Sequence, residues 1–420
     1  MHLPGNDKLE FRISPMFRNV ALGLMGLGLL LIAYQIIAPW HGSHAHGEPH
    51  EGYSNPRLFM SMNLALLVGI PVALGGVFFT ALHHLSGAAW STTVRRLSES
   101  FFWALPVLLV FLAVVLFGMK DVFGHWATYV PGSKPGDALL EVKAPYLNPT
   151  FFIIRNIVIF LIWIGFGFLF WKTSVKQDAD GEFKHTSLLV KLSAGFMVVF
   201  GLTMSMSSWD LGMSVEPHWF STMWAVYFFT GLGLSVFAAM ILWIWYLKRA
   251  GYVAESVNTE HIHDLGKWLW GFTAGWAYIA LGSQFLLIWY AHIPEETIFY
   301  HVRMYNDDMS YNAWGFMSLV IVMLRWILPF FLLIKREWKR NLNWLAINAI
   351  VVLVGQVLDM YWVLYPTLDG GHFIWPSIQE LGPLLLLVGA FMLSTAWGLS
   401  RAKLIPVKDP RLEECLHSHH

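Results

Sequence analysis

Ten long apolar segments constrain the fold of this 420-residue chain more than any other feature. A helix of ~18 or more apolar residues is long enough to cross the hydrocarbon core of a bilayer. The whole chain is 56% hydrophobic and only 13% charged, a combination typical of membrane proteins. We therefore expect an all-α membrane protein with about ten transmembrane helices. The predicted spans are 19–39, 58–82, 100–119, 151–171, 188–207, 219–246, 268–290, 312–334, 342–363 and 381–400.

The distribution of Lys and Arg predicts how these helices are oriented, because cytoplasmic loops carry an excess of basic residues. Nineteen of the 27 basic residues lie in the two tails and in loops 84–99, 172–187, 247–267 and 335–341. The alternating loops hold only Lys120, Lys134, Lys143 and Arg303. Both termini are therefore predicted to be cytoplasmic. The first helix is expected to be retained, because the N-terminus is too polar for a cleaved signal peptide.

The order of helices and loops suggests an internal duplication. Helices two to five and helices six to nine share one layout, in which a long outer loop separates two pairs of helices. The long loops end in YLNPTFF (146–152) and YNAWGF (311–316). We expect two four-helix bundles with the first and tenth helices at their periphery. The predicted divisions are 1–57 (tail, first helix and His-rich outer loop), 58–207 (first bundle), 208–363 (second bundle) and 364–420 (tenth helix and cytoplasmic tail).

Polar side chains in or beside the spans cluster in the predicted outer half. Such groups are costly in a membrane unless they are paired or hydrated, so each is a functional candidate. The segment WDLGMSVEPHW (209–219) carries three of them in the turn between helices five and six, with Pro217 expected in the first turn of helix six. The full set is Arg155, Asn156, Asp210, Glu216, His218, Gln284, Gln356, Asp359 and Glu380, with Arg325 near mid-depth.

Two interpretations of these residues remain open. In the first they are structural, with Arg155 paired to Asp210 or Glu216 and Arg325 paired to Asp359. In the second they form a continuous row of hydrated polar groups, here called the file, that opens on the outer side. The second interpretation has three parts: a mouth (Asp210, Glu216 and His218), an inner section (Gln356 and Asp359) and an inner end (Arg325). The cytoplasmic half offers mostly Ser, Thr and Asn, so the file is expected to stop halfway.

The histidines and the single cysteine exclude several kinds of cofactor site. No histidine lies in the middle of a span, whereas a b-type haem usually needs two on facing helices. Cys415 alone cannot ligate an iron–sulfur cluster or attach haem c. The run of His41, His44, His46 and His50 fits no tetrahedral metal template and is expected to be a hydrated or partner-facing loop. We therefore expect no metal and no covalently bound cofactor in this chain.

Three stretches resemble a known family of membrane subunits. They are KAPYLNPTFFIIRN (143–156), WDLGMSVEPHWFSTMWAVYFF (209–229) and HDLGKWLWGFTAGWAYIALGSQFLLIWYAHIPEETIFY (263–300). They resemble the NrfD/polysulfide-reductase membrane subunits, and most closely the second such subunit, F, of bacterial alternative complex III. The most specific piece is WYAHIPEET (289–297).

The resemblance implies a multi-pass subunit of a quinol:cytochrome c oxidoreductase in the bacterial inner membrane. The partners it implies are a homologous membrane subunit, an iron–sulfur subunit and c-type haem subunits, with a terminal oxidase as a further candidate. A quinone such as menaquinone is the implied ligand, and zero net charge gives no indication of nucleic acid. Lys143, His292 and Glu295 thereby join the candidate residues of a proton path or quinone pocket.

The sequence leaves two main functions open, a proton or quinone role and a structural role. The polar residues carry protons linked to quinol oxidation or hold a quinone ring. Alternatively, the chain is a structural anchor that holds the haem and iron–sulfur subunits and a partner oxidase through loops 120–150 and 291–311. A secondary transporter would need discontinuous helices in corresponding positions of the two halves, and the sequence has no such paired breaks.

Overall fold

The computed structural model describes residues 7–39, 54–133, 136–287, 294–306 and 310–417. Throughout these ranges the regular secondary structure is helical, apart from isolated β-bridges. Nine helices in the described ranges are long and apolar enough to cross a membrane. The chain is therefore a multi-pass, all-α membrane protein.

The long helices follow the predicted spans. In chain order they are α1 (Pro15–Ile37), α2 (Pro56–Leu85), α3 (Ala89–Phe117), α4 (Pro149–Asp180), α5 (Phe183–Leu211), α6 (Trp224–Arg249), α7 (Thr259–Ala277), α8 (Ala313–Leu332), α9 (Leu342–Leu364) and α10 (Ile378–Ser400). All except α7 belong to the nine candidate spans. α7 continues as a π-helix over Tyr278–Leu287, and the predicted span 268–290 ends beyond the described residues.

Shorter helices lie between the long ones and after α10. Those on the predicted outer side are Met119–Val122, Gly124–Ala127, Ala138–Lys143 and Pro294–Val302. Those on the opposite side are Arg336–Arg340 and Leu412–Leu416.

Capping residues in the sequence explain where several long helices begin. The side chains of Ser14, Asn55 and Asn148 accept hydrogen bonds from the first turns of α1, α2 and α4, and each is followed by a proline. Proline is favoured there because the N–H groups of the first turn have no partner within the helix, so the absence of one costs nothing. Ser377 and Glu380 form a capping box that starts α10.

α2 lies at the centre of the structure and packs against α3, α5, α6 and α10. α6 packs against α7 and α9, while α1 packs mainly against α10. The Leu404 amide donates a hydrogen bond to the Leu9 carbonyl oxygen (2.9 Å), so the two tails lie on the same side of the helix array. Because α2 and α6 share one continuous core, the division into two bundles stays a prediction, as does the predicted orientation.

α1 and α10 approach each other closely at small residues. A Cβ atom added to Gly28 would lie 2.6 Å from the Leu386 amide nitrogen and 2.7 Å from the Gly382 carbonyl oxygen. By contrast, a Cβ atom on Gly26 would have nothing within 4 Å. Small residues let membrane helices pack backbone to backbone, so Gly28 determines how α1 docks.

Gly28→Val is expected to lower the free energy of unfolding by about 1–3 kcal/mol, because the added atoms collide with the backbone of α10. The measurement is the temperature at which the detergent-solubilised protein loses its monodisperse peak in size-exclusion chromatography. Gly26→Val is the matched control, since it adds the same side chain to the same helix in open space. Equal effects of the two substitutions would contradict the close approach.

Candidate functional site: an aromatic cavity among α6–α9

The turn between the fifth and sixth helices lies further along the chain than the sequence predicts, at 212–223 and not at 208–218. α5 ends at Leu211 and α6 begins only at Trp224. The sequence predicts Pro217 in the first turn of helix six. In the structure it lies in the connecting turn, before α6 begins. Its carbonyl oxygen accepts a hydrogen bond from Lys143 Nζ (2.6 Å), whose pKa is lowered by burial. The ionisable side chains of this turn have three separate sets of partners.

Asp210 is fully buried and accepts hydrogen bonds from three side chains. Arg155 Nε and Nη2 each lie 2.8 Å from its carboxylate, Asn156 Nδ2 lies 3.0 Å away, and the Tyr146 hydroxyl lies 3.1 Å away. The Arg155 guanidinium also lies 3.9 Å from the centre of the Tyr146 ring. Burial raises the pKa of the Tyr146 hydroxyl, which keeps it a hydrogen-bond donor. Both charges are paired, so this cluster joins α4 to α5.

Glu216 accepts a hydrogen bond from Arg303 Nη2 (3.1 Å). Arg303 is fully buried and also donates to the carbonyl oxygens of Trp362 (3.1 Å) and Val363 (2.7 Å) at the end of α9. Burial lowers the pKa of Arg303, and the Glu216 carboxylate opposes that shift. Arg303, which the sequence places in an exposed outer loop, instead ties the 209–219 turn to α9.

His218 is half-exposed, and its Nε2 atom lies 2.5 Å from a carboxylate oxygen of Asp137. The hydrogen bond between them lowers the pKa of the Asp137 carboxyl. His218 therefore belongs to a surface pair. Since Asp210 and Glu216 are committed to other partners, these three side chains do not form the predicted mouth of a file.

Asp359 lies at the centre of a second buried cluster. It accepts hydrogen bonds from Arg325 of α8 and from the Tyr227 hydroxyl of α6. The Arg325 guanidinium lies 4.8 Å from the centre of the Trp276 ring of α7. Because Asp210 and Asp359 have different partners on different helices, the predicted file is two clusters, one on α4 and α5 and one on α6–α9.

Some polar atoms beside Asp359 have no hydrogen-bond partner among the described residues. They are Arg325 Nε, Arg325 Nη2 and Gln356 Oε1, and both side chains are buried. A Cβ atom on Gly231 would lie 3.2 Å from both Arg325 Nη2 and Gln356 Oε1, so the glycine leaves space between them. Buried polar atoms are almost always satisfied, and water or a ligand supplies what the protein does not. The cluster is therefore suited to a hydrated or liganded state.

Two departures from α-helical geometry flank this cluster. α7 becomes a π-helix at Tyr278–Leu287, which carries Gln284, and α8 contains a π-helical segment at Met323–Ile327, which carries Arg325. Pro329 follows the second segment; it has no N–H group to donate and its ring clashes with the carbonyl four residues earlier, that of Arg325. π-Segments rotate the residues that follow them and occur frequently at functional sites.

A cavity of about 140 Å³ lies beside Asp359 among these helices. Eight of its 17 lining residues are aromatic: Trp219, Trp224, Tyr227, Trp276, Phe285, Phe299, Tyr300 and Trp362. The rings of Trp219 and Phe299 are stacked, with their centres 3.9 Å apart. The volume resembles the ~150 Å³ apolar cavity of another protein that binds benzene, so there is room for one aromatic ring.

Polar groups reach this cavity at a few points. Gln284 and Asp359 line it, and Gln284 exchanges hydrogen bonds with Ser221 (3.1 Å) and lies 3.4 Å from the Tyr300 hydroxyl. Leu319 of α8 also lines the cavity and is 63% exposed, so the cavity reaches the membrane-facing surface of α8. An apolar wall with a few convergent polar groups is the usual construction of a small-molecule site.

The remaining predicted site residues lie elsewhere. Glu380 pairs with Arg57 Nε (2.6 Å) at the start of α10, so it belongs to neither cluster. His292 and the His-rich segment 41–50 lie outside the described residues. Glu295 lies in the helix Pro294–Val302, and its side chain is also outside the described part.

A further buried cluster on the predicted cytoplasmic side was not expected from the sequence. Glu99 of α3 lies 3.1 Å from Arg96 and 3.8 Å from Arg95. Arg96 also pairs with Asp178 (3.0 Å), and Arg95 pairs with Asp409 of the C-terminal tail. α3 begins well before the predicted span 100–119, so these residues are helical and buried. The spacing of the two arginines from Glu99, three and four residues, is the signal that indicates the helix.

The uncharged members of the cavity were also missed from the sequence. Tyr227 and Tyr300 carry no charge, and aromatic residues near the ends of membrane helices are common without any binding role. Only their convergence with Asp359 and Gln284 in the structure distinguishes them from such ordinary aromatic residues.

Compared with known proteins, the chain matches no family model and no curated protein. Among the described residues, no group of three His, Cys, Asp or Glu side chains is arranged to hold a metal ion. The acidic and phenolic groups of the cavity wall are Asp359, Tyr227 and Tyr300.

Proposed function

We propose that this chain is an integral membrane subunit of a bacterial respiratory quinol:cytochrome c oxidoreductase of the alternative complex III type. The observation that carries the proposal is the aromatic cavity among α6–α9, with Asp359 and Tyr227 in its wall. The likeness of the three quoted stretches to NrfD-type subunits supports the same assignment. The subunit would lie in the inner membrane with iron–sulfur and c-type haem subunits as partners.

In this proposal the cavity holds the ring of a quinone. The flat apolar walls suit an aromatic ring, and the route past Leu319 suits a molecule that enters from the bilayer. Tyr300 and Tyr227 donate their hydroxyl hydrogens to Gln284 and Asp359, so each phenol oxygen can accept a hydrogen bond from a quinol hydroxyl at its own part of the wall. A quinone ring carries two oxygen atoms, so polar groups at separate points would orient it.

Asp359 and Tyr227 would accept and pass on a proton released when quinol is oxidised. Gln356 and the partnerless nitrogens of Arg325 would hold the water molecules that extend this route. Electrons would leave through the iron–sulfur and haem groups of partner subunits. Because the Asp210 carboxylate and the Arg155 guanidinium are paired with each other, we assign this cluster a structural role and not a place in the route.

The second candidate is a structural anchor without a quinone or proton role. The paired Arg155–Asp210 and Arg57–Glu380 bridges favour it, because they fix helix positions without leaving free polar atoms on their carboxylates. Under this alternative, loops 120–150 and 291–311 would hold the haem and iron–sulfur subunits and a partner oxidase. Assembly, and not turnover, would then respond to changes in the cavity.

Photolabelling with an azido-quinone distinguishes the two candidates. Wild-type protein should be labelled on peptides of α7–α9. Ala280→Trp, which fills the cavity, should reduce that labelling about tenfold, the effect of ~1.4 kcal/mol of lost binding. Val198→Trp on α5 is the control, because Val198 does not line the cavity and is 68% exposed. Equal labelling of all three proteins would reject the quinone site and favour the anchor.

A further inference from the structure

A second cavity of about 450 Å³ lies among α1, α2, α6, α9 and α10 and shares no lining residue with the aromatic cavity. Its walls are apolar or aromatic, with Val72, Ala239 and Leu353 among them. It runs from the middle of α2 to Phe17 and Tyr246, which lie near the ends of α1 and α6 beside the basic tails. It is therefore an elongated crevice that extends from the level of Val357 and Leu384, just beyond the middle of α9 and α10, to the predicted cytoplasmic side.

Hydrocarbon is the filling that suits this crevice. Water needs polar partners, and the walls offer almost none. An empty crevice would forfeit the dispersion contacts of its lining side chains. Val388 of α10 lines the crevice and is 46% exposed, so the crevice opens towards the bilayer. An acyl chain can enter from there.

Basic side chains lie at the end of the crevice near the tails. Trp245 lines the crevice, and the Arg249 guanidinium lies 4.4 Å from the centre of its ring. Asn343 Oδ1 accepts hydrogen bonds from Trp245 Nε1 (2.9 Å) and Arg249 Nη2 (3.2 Å), which holds the arginine at this position. Arg249 is exposed, and Arg18 follows Phe17 in the chain. Basic residues at this level of the membrane attract anionic headgroups.

We propose that the crevice binds an acyl chain of an anionic phospholipid whose phosphate is held at Arg249. The lipid would fill the gap between the peripheral pair α1 and α10 and the central helices α6 and α9. This site is independent of the quinone proposal, since neither the ligand nor the lining residues are shared.

Native mass spectrometry of the full-length protein, offered equal amounts of phosphatidylglycerol and phosphatidylcholine, tests the headgroup site. Wild-type protein should retain phosphatidylglycerol preferentially. Arg249→Gln should lower that preference about fivefold, the value of one basic residue near an anionic surface. Arg401→Gln should leave it unchanged, because Arg401 lies over Trp397 at a similar distance (4.6 Å) but outside the crevice.

Ala239→Phe tests the crevice itself, because the larger side chain occupies the space of the acyl chain. Retention of both lipids should fall, whereas Val198→Phe on the outward face of α5 should not change it. The proposal is overturned if wild-type protein retains no lipid, or retains the two lipids equally. It is also overturned if the retained molecule is an isoprenoid quinone, or if cross-linking places a partner helix in the crevice.

Discussion

Asp359→Asn is expected to slow quinol-dependent reduction of cytochrome c by about 100-fold or more, because a positioned proton acceptor contributes ~10²–10⁴-fold. Asp359 lies in the cavity wall and accepts hydrogen bonds from Tyr227 and Arg325. Asparagine keeps the size and one acceptor oxygen but cannot bind the proton. The measurement is steady-state turnover of the assembled complex, with proton release followed by a pH indicator.

The same substitution also leaves Arg325 as a buried charge without its partner, which by itself destabilises a protein by about 3–5 kcal/mol. The double variant Asp359→Asn, Arg325→Gln removes both charges and separates the two effects. Its unfolding temperature should return towards that of wild type while its turnover stays as low as that of the single variant. Recovery of turnover together with stability would show that the pair is only structural and would sink the proton role.

Asp210→Ala is expected to lower the free energy of unfolding by about 3–5 kcal/mol, because Arg155 then remains charged and buried without a counter-ion. Asn156 and Tyr146 lose an acceptor at the same time. The measurement is the temperature at which the purified protein loses its monodisperse peak in size-exclusion chromatography. His218→Ala is the control, since it removes the half-exposed His218–Asp137 pair but keeps Asp137 as the cap of the helix Ala138–Lys143, and such surface substitutions change stability by only about 0.5 kcal/mol.

Turnover distinguishes the Asp210 cluster from the Asp359 cluster. Complexes containing Asp210→Ala that do assemble should keep near-normal turnover per complex, because Asp210 does not line the aromatic cavity. A large loss of turnover in assembled complexes would contradict the structural assignment of Asp210 and return it to the proton route.

The two buried ion pairs differ in how well their partners could be predicted from the sequence. Opposite charges in apolar segments must find partners, so the sequence was sufficient to expect a pair between Arg325 and Asp359. For Arg155 the sequence left two candidate partners, Asp210 and Glu216. The structure pairs Arg155 with Asp210 and gives Glu216 to Arg303. That choice depends on how the helix Pro294–Val302 packs against the end of α9, which no local pattern records.

The sequence by itself determined that this chain is a multi-pass helical membrane protein, and Ser-Pro or Asn-Pro pairs mark the starts of three long helices, α1, α2 and α4. Hydropathy and capping act over one helix, so they can be read along the chain. Only the tertiary structure decided that the polar residues form separate clusters and that an aromatic cavity adjoins one of them. Residues as distant as Tyr227, Gln284 and Asp359 converge because of helix packing and the π-segments of α7 and α8. The relative rotation of packed helices arises from contacts between distant parts of the chain.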